Sequence, residues 1–426
     1  MSDFRFLHAA DIHLDSPLLG LAQFEESAAE ILQTAARDAF DAMIEYAIEE
    51  SVDFVIIAGD LYDDDWKDYK TGRFFVERMG RLRKAGIPAY ILYGNHDAAN
   101  KMTRSLRLPD NVHEFESKAP SSFAIEELGV TLHGRSFPEQ HVHYDLVPDY
   151  PSPEKGHFNI GVLHTALEGS SVHANYAPVA VEALRNKGYQ YWALGHVHEH
   201  KIVASEPHVV FPGNLQGRHA RETGPKGACL VSVEDGGVSL VEHVPFDVAR
   251  WAWLTVDVSE VERFTEVVDA ATEAVQAAIE READGRLLAC RVELTGSTSL
   301  DAEIRSRSTE LREELIASML SAGEIEGWVE KVKINTEAPP AFGNDAEGGD
   351  ALAELMEGLP EALEDPRFTE ALRDTLTSFR TQLGNEVIEG SDDPALAAAM
   401  KGDIESLIEA IRPDLMGRLT GKAGRT

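Results

Sequence analysis

What most narrows the fold of this chain is a repeated arrangement: a short, unbroken apolar run that stops on a carboxylate, an amide or an imidazole. Phe6 to Ala10 leads into Asp11, Val55 to Ala58 into Gly59-Asp60, and Ile91 to Tyr93 into Gly94-Asn95. Continuous apolar runs, rather than alternating ones, fit strands covered on both faces. Helical patterns such as Ala28 to Glu50 lie between them, giving α/β alternation from residue 4 to about 245. Layered α/β folds place active sites at such strand ends, so the polar residues there are where chemistry is expected.

At 426 residues the chain exceeds what one core usually organises, and two or three domains are expected. The first spans 1–245. The character changes near Pro245, where Trp251 to Val258, Val261 to Ala283, Leu287 to Leu294, Leu300 to Leu320 and Trp328 to Ile334 read as β-α-β-α-β, a small domain over 246–340. Glu337 to Asn344, with two prolines and a glycine, reads as a linker. Over 341–426, Ala351 to Leu359, Phe368 to Leu383 and Pro394 to Ile411 carry apolar residues at helical spacing with little core of their own, as a docking segment would.

Composition excludes some classes. The apolar fraction is 43%, and no stretch reaches the roughly 18 unbroken apolar residues of a membrane span. Met1 runs straight into a strand-like segment without a basic, apolar and small-residue leader, so cytoplasmic residence is expected. Cys229 and Cys290 sit in apolar strand-like contexts and read as buried, reduced thiols. With 39 basic against 74 acidic residues, the net charge of −35 has the wrong sign for gripping nucleic acid by bulk electrostatics. DNA binding must then be local, helped by bound metal ions, or supplied by a partner. An acidic, salt-tolerant proteome accounts for the charge equally well.

Five short pieces carry the chemistry: Asp11-Ile12-His13, Gly59-Asp60, Gly94-Asn95-His96-Asp97, His164 and Gly195-His196-Val197-His198. A mixed Asp/Asn/His set suits Mn²⁺, Fe²⁺ or Zn²⁺ rather than Ca²⁺, and a structural zinc site would use fewer groups and usually cysteine. Seven ligand candidates, Asp11, His13, Asp60, Asn95, His164, His196 and His198, exceed the needs of one ion. Two ions roughly 3.5–4 Å apart would use them all, an arrangement that clamps a phosphodiester.

In type and order these pieces resemble the signature of the calcineurin-like metallophosphoesterase superfamily. The opening Phe6 to Leu18, and Phe211-Pro212-Gly213-Asn214-Leu215-Gln216-Gly217-Arg218-His219 with Gly224-Pro225-Lys226-Gly227, are similar to SbcD-like DNA-repair exonucleases of the YhaO-type branch. The resemblance covers residues 4 to about 230. It implies an α/β fold, a layered β-sandwich flanked by helices, with a small α+β capping domain and a helical C-terminal segment. It further implies two divalent ions, Mn²⁺ by preference: Asp11, His13 and His198 on one, Asn95, His164 and His196 on the other, and Asp60 bridging. His96 would stabilise the phosphate or protonate the leaving oxygen, with Asp97 orienting it. The implied activity is DNA exonuclease action in repair beside an SbcC-like coiled-coil ATPase that binds the helical segment. A homodimer stays open.

Other groups are weighed against plainer roles. Arg218 and His219, with Arg221 and Lys226, form a basic cluster suited to a DNA backbone or simply to a structured loop. Trp66, Lys67 and Tyr69 could stack on single-stranded ends, although ordinary packing or a solvated loop fits them better. Arg73, Arg78, Arg81, Arg83 and Lys84 read as a solvated helix face, and His8 and His133 as structural. Two other readings keep the same ligands: a cyclic-nucleotide phosphodiesterase or phosphatase, and a non-catalytic scaffold. Phosphatases of this kind usually lack the extension after residue 247, and scaffolds lose ligands that are all present here.

Overall fold

In the first strand, Phe4, Phe6 and Ala10 face one way, Leu7 and Ala9 the other, and all five are buried. The same two-sided burial recurs in its neighbours, because this strand lies inside a layered unit. The computed structural model describes residues 2–16, 27–63, 69–99, 106–167, 176–321, 327–339, 366–382 and 394–412. Two compact units are distinguished, one of 1–252 with 282–288, the other of 253–281 with 289–426.

The first unit contains β1 (Phe4–Ala9), β2 (Phe54–Ala58), β3 (Ala89–Leu92), β4 (Val112–Glu114), β5 (Ser121–Ile125) and β6 (Val130–Gly134). It continues with β7 (Phe158–His164), β8 (Tyr191–Gly195), β9 (Lys201–Ser205), β10 (His208–Phe211), β11 (Gly227–Glu234) and β12 (Gly237–Pro245). Its helices are α1 (Ser27–Glu49), α2 (Tyr69–Ala85), α3 (Asn95–Ala99) and α4 (Val181–Lys187). One six-stranded sheet has the order β12-β11-β1-β2-β3-β4, and the other β5-β6-β7-β8-β10-β9.

The two sheets share one core. Phe6, Phe54 and Ile56 from the first meet Phe158, Ile160 and Tyr191 from the second. Phe6 stacks on Phe54 at 5.0 Å and 5°, and Tyr191 meets Phe6 edge-on at 5.2 Å, a favoured aromatic arrangement. On the outer face, Leu7, Val55 and Ile57 pack against Phe40 and Met43 of α1 and Phe75, Met79 and Leu82 of α2. Trp192, Leu194 and Leu163 form an equivalent outer cluster on the second sheet. The period-two alternation therefore buries every residue of β2, β3, β7 and β8.

Strand direction then places the polar residues. β1, β2 and β3 are mutually parallel, as are β7 and β8, with Ile57 level with Ala9, Leu92 with Ala58 and Gly195 with His164. The carboxyl ends that carry Asp11, Asp60, Asn95, His164 and His196 thus reach the same height within each sheet.

The second unit is built on a sheet of β13 (Ala249–Asp257), β14 (Leu287–Ser297) and β15 (Gly327–Glu337) with α5 (Phe264–Ala278), α6 (Asp301–Ser306) and α7 (Ser308–Ser321). These elements follow the expected β-α-β-α-β order, except that the helix expected over Leu300 to Leu320 is broken at Arg307. The Arg307 guanidinium lies 3.6 Å from the Phe264 ring centroid and pairs with Glu303 and Glu310. Farther on, α8 (Pro366–Gln382) packs Leu372 and Leu376 against Ala399 of α9 (Pro394–Lys401) and against Ile404, Leu407 and Ile408. The helix expected over Ala351 to Leu359, much of the 337–344 linker, and Trp66 and Lys67 lie outside the described residues.

Candidate metal centre

Each strand end turns sharply. Asp11, His13 and Asp60 have φ of 50°, 47° and 50°, and His196 has 101°, values that non-glycine residues hold only where the surroundings enforce them. Backbone bonds do so: Asp11 N donates to Gly59 O and His13 N to Asp60 O, both at 3.0 Å. Gly59 is required at φ 99° because a Cβ there would fall on the His164 ring. At Gly195 a Cβ would strike the Ala58 carbonyl. The two sheets thereby approach closely at this edge.

The seven ligand candidates converge there. Ligand atoms of Asp11, His13 and His198 lie within 4.8 Å of one another, as do those of Asp60, His164 and His196. A third such group, His13, Asp60 and His96, links the two halves, so geometry alone also places His96 within ligand reach. His13 Nε2 is 3.3 Å from His198 Nε2, and His164 Nε2 is 3.0 Å from Asn95 Oδ1 and 3.2 Å from Asp60 Oδ2.

Imidazole chemistry tests whether a cation fits. His13 Nδ1 faces Asp63 Oδ1 at 3.1 Å and His198 Nδ1 faces Glu222 Oε1 at 2.6 Å, so each Nδ1 carries the proton and donates it. Both Nε2 atoms are then lone pairs pointing at each other, an arrangement that a shared cation relieves. His164 Nδ1 donates to the Ala58 carbonyl at 3.0 Å, leaving its Nε2 to face two oxygen acceptors, a position that favours a proton or a cation there. Burial alone would lower the His164 pKa, but the Asp60 carboxylate outweighs it, with help from Asp11, and raises it to about 9. This acceptor cage draws positive charge, and the donor set suits a borderline divalent ion.

The carboxylates divide by environment. Burial lifts Asp11 to about 6 despite His198 and His164, and the His196 amide donates to both of its oxygens at 3.1 and 2.9 Å. Burial also opposes ionisation of Asp60, yet His164 and His96 overcome it and hold the group well below the usual range. The His96 amide donates to Asp60 Oδ1 at 3.1 Å.

Four placements were not evident from spacing. Asp97, expected to orient His96, accepts the amides of Gly94, Leu61 and Tyr62 at 2.9 to 3.1 Å and so fixes the loops after β2 and β3. The carboxylate set against His96 Nδ1, at 3.0 Å, is Asp63. Glu222 receives His198 Nδ1, the Arg218 amide at 2.7 Å and Asn214 Nδ2 at 2.9 Å. Arg218, read as suited to a DNA backbone or to a structured loop, lies 3.3 Å from Asp63 Oδ2 and 3.9 Å from Glu222 Oε1. His219 is 37% exposed at the rim, 3.6 Å from Glu222. Lys226 Nζ donates to the His198 carbonyl at 2.8 Å. Asp63 did have one signal, its position three residues after Asp60; Glu222 had none beyond proximity to Arg218.

Comparison with known proteins agrees with this geometry. Residues 4–200 match the calcineurin-like phosphoesterase family, and 251–337 match the middle domain of the metallophosphoesterase YhaO. YhaO of Bacillus subtilis is 35% identical over 269 residues, 62% of this chain and 66% of that relative, just under two thirds of its length. DNA double-strand break repair protein Mre11 of Sulfurisphaera tokodaii is 24% identical over 61% of this chain and 67% of its own. The Methanopyrus kandleri Mre11 is 24% identical over 58% of each. Among the described residues, no helix is long and apolar enough to cross a membrane. A two-sheet α/β unit, an ordered Asp/Asn/His constellation at one edge of it, and these matches together place residues 4–200 in the calcineurin-like phosphoesterase family.

Proposed function

We propose that this protein is a metal-dependent DNA exonuclease acting in repair, hydrolysing phosphodiester bonds at a centre of two divalent ions, Mn²⁺ by preference. The observation that carries the reading is the pair of facing acceptor clusters, Asp11/His13/His198 and Asp60/His164/His196, with Asn95 on the second and His96 between them. Divalent ions bound there would supply Lewis acidity and a nucleophile at neutral pH.

The chain's own groups have distinct tasks. Asp60 serves both halves. His96, whose Nδ1 lies 3.0 Å from Asp63 Oδ1, would in its protonated form present its other nitrogen as a donor that stabilises phosphate charge or protonates the leaving oxygen. Arg218 braces Asp63 and Glu222, and His219 at the rim is placed to meet the substrate backbone. The Mre11 relatives support DNA as the substrate.

The resemblance to SbcD-like exonucleases supports a coiled-coil ATPase partner, with 341–426 as the docking segment, 246–340 as the capping domain and 1–245 as the catalytic domain. Buried free thiols at Cys229 and Cys290 are consistent with work in the cytoplasm. The deciding experiment offers the Mn²⁺-loaded protein a panel of DNA ends, cyclic nucleotides and phosphopeptides. Mononucleotide release from DNA ends is expected, whereas selective turnover of cyclic nucleotides or phosphopeptides refutes the DNA reading. Truncation after Pro340 should leave metal binding intact and abolish ATPase association; retained association refutes the docking assignment.

A further inference from the structure

Beside the second acceptor cluster lies a group of rings that the chemistry above does not use. Tyr176 packs edge-on against His196, with centroids 5.7 Å apart at 79°. His141 and His143 continue the group, 5.6 and 6.2 Å from Tyr176, and the His143 ring is nearly parallel to the tyrosine at 28°. Both histidines are exposed, while Val142 between them is fully buried. Tyr176 is half-buried and Ala177 after it is buried.

Each segment thus turns one side chain inward and its neighbours toward solvent, Ala177 doing so in a bend at φ 41°. Backbone bonds fix them: Ala177 N donates to Val142 O at 2.7 Å and Ala166 N to Tyr176 O at 2.9 Å, while Thr165 Oγ1 donates to Ala177 O at 2.7 Å. The ledge is thereby attached to the residues that directly follow His164. Its three rings lie at the border of the metal centre, through the Tyr176–His196 contact, and its two histidines belong to none of the buried ligand clusters.

We infer that His141, His143 and Tyr176 form a stacking ledge for an unpaired nucleobase next to the phosphodiester being cleaved. This rests on the DNA reading and adds to it that the substrate end is read as a single strand. Aromatic and imidazole faces bind bases with little sequence preference and without needing positive charge. Such a contribution suits a chain of net charge −35, in which Arg218 is directed at two carboxylates and Lys226 at a carbonyl. An extended base on the ledge leaves its adjoining phosphate beside His196.

The test measures binding of a single-stranded oligodeoxyadenylate, and of an abasic oligomer of the same length, by fluorescence anisotropy. Wild type, His141→Ala/His143→Ala and His141→Phe/His143→Phe are compared, with metal content checked in each. The alanine pair should weaken oligodeoxyadenylate binding by about tenfold or more and leave the abasic oligomer within about twofold, and the phenylalanine pair should retain affinity. Equal losses on both oligomers, no loss on either, or failure of phenylalanine to restore binding would overturn the ledge. Wild type that neither binds nor, with Mn²⁺, hydrolyses any oligonucleotide would remove the DNA reading itself, a different result from hydrolysis that is indifferent to the two histidines.

Discussion

The two halves of the candidate metal centre hold their histidines in different ways. His13 and His198 are oriented by the side chains of Asp63 and Glu222, which come from loops after β2 and β10 and are braced from behind by Arg218. His164 is oriented by the Ala58 carbonyl, so strand register fixes it. Carboxylates behind a ligand histidine raise its basicity and set its tautomer. A carbonyl sets the tautomer but adds no charge. The first half is therefore tunable by substitutions that touch no ligand, and the second is built into the sheet.

The largest effect should come from the residue common to both halves. Asp60→Ala should abolish binding of two ions and hydrolysis together, as measured by metal content and turnover. Retention of two ions would mean that each half is self-sufficient and the comparison would lose its hinge. His96→Ala should separate binding from chemistry. Turnover should fall by about 10²- to 10⁴-fold with both ions retained, because a single positioned proton donor or charge stabiliser is worth about that much. Loss of an ion in this variant would move His96 into the ligand set, which its proximity to His13 and Asp60 permits.

Glu222→Gln bears directly on the difference between the halves. The substitution keeps the size of the side chain and removes the charge behind His198. One site should weaken by about 10- to 100-fold in calorimetric titration, and the other should stay unchanged. Equal weakening of both sites would show that the halves act as one unit, whatever holds each ring.

Legibility in the sequence follows the same division. Asp11, Asp60, Asn95, His164 and His196 could be picked out because each ends an apolar run, and a run buried on both faces has a composition that few other structures share. The β-α-β-α-β order of residues 249–337 was legible for a similar reason, through periodicity. Asp63 and Glu222 were not singled out, because a carboxylate has no local signature in a chain with 74 acidic residues. Their tasks arise from contacts between residues well separated in sequence, 24 apart for Glu222 with His198, 50 for Asp63 with His13 and 155 for Asp63 with Arg218. Arg78 and Arg81 make the same point: read as a solvated basic face, they pair with Asp41 and Glu45 of α1, about ten turns of sequence away. Asp97 lay inside a recognised motif, yet its oxygens accept backbone amides on two loops, a task that adjacency to His96 could not reveal.

The smallest effect should come from the apolar wall of the second half. Phe137 is buried and meets the His164 ring edge-on, with centroids 5.5 Å apart at 88°. It is an apolar side chain placed to hold that ring if strand register does not. Phe137→Leu keeps an apolar group of similar reach and removes the aromatic edge, so stability should fall by about 1 kcal/mol, an ordinary value for a core substitution. Metal affinity should change by no more than about threefold, because the Ala58 carbonyl on Nδ1 and the Asn95 and Asp60 oxygens facing Nε2 already fix the ring. Thermal unfolding of the metal-free protein reads the first quantity and calorimetric titration the second. A loss of affinity as large as that from Glu222→Gln would show that side-chain packing orients His164 as well. The two halves would then differ in the chemistry of their supports and no longer in how far each support can be tuned.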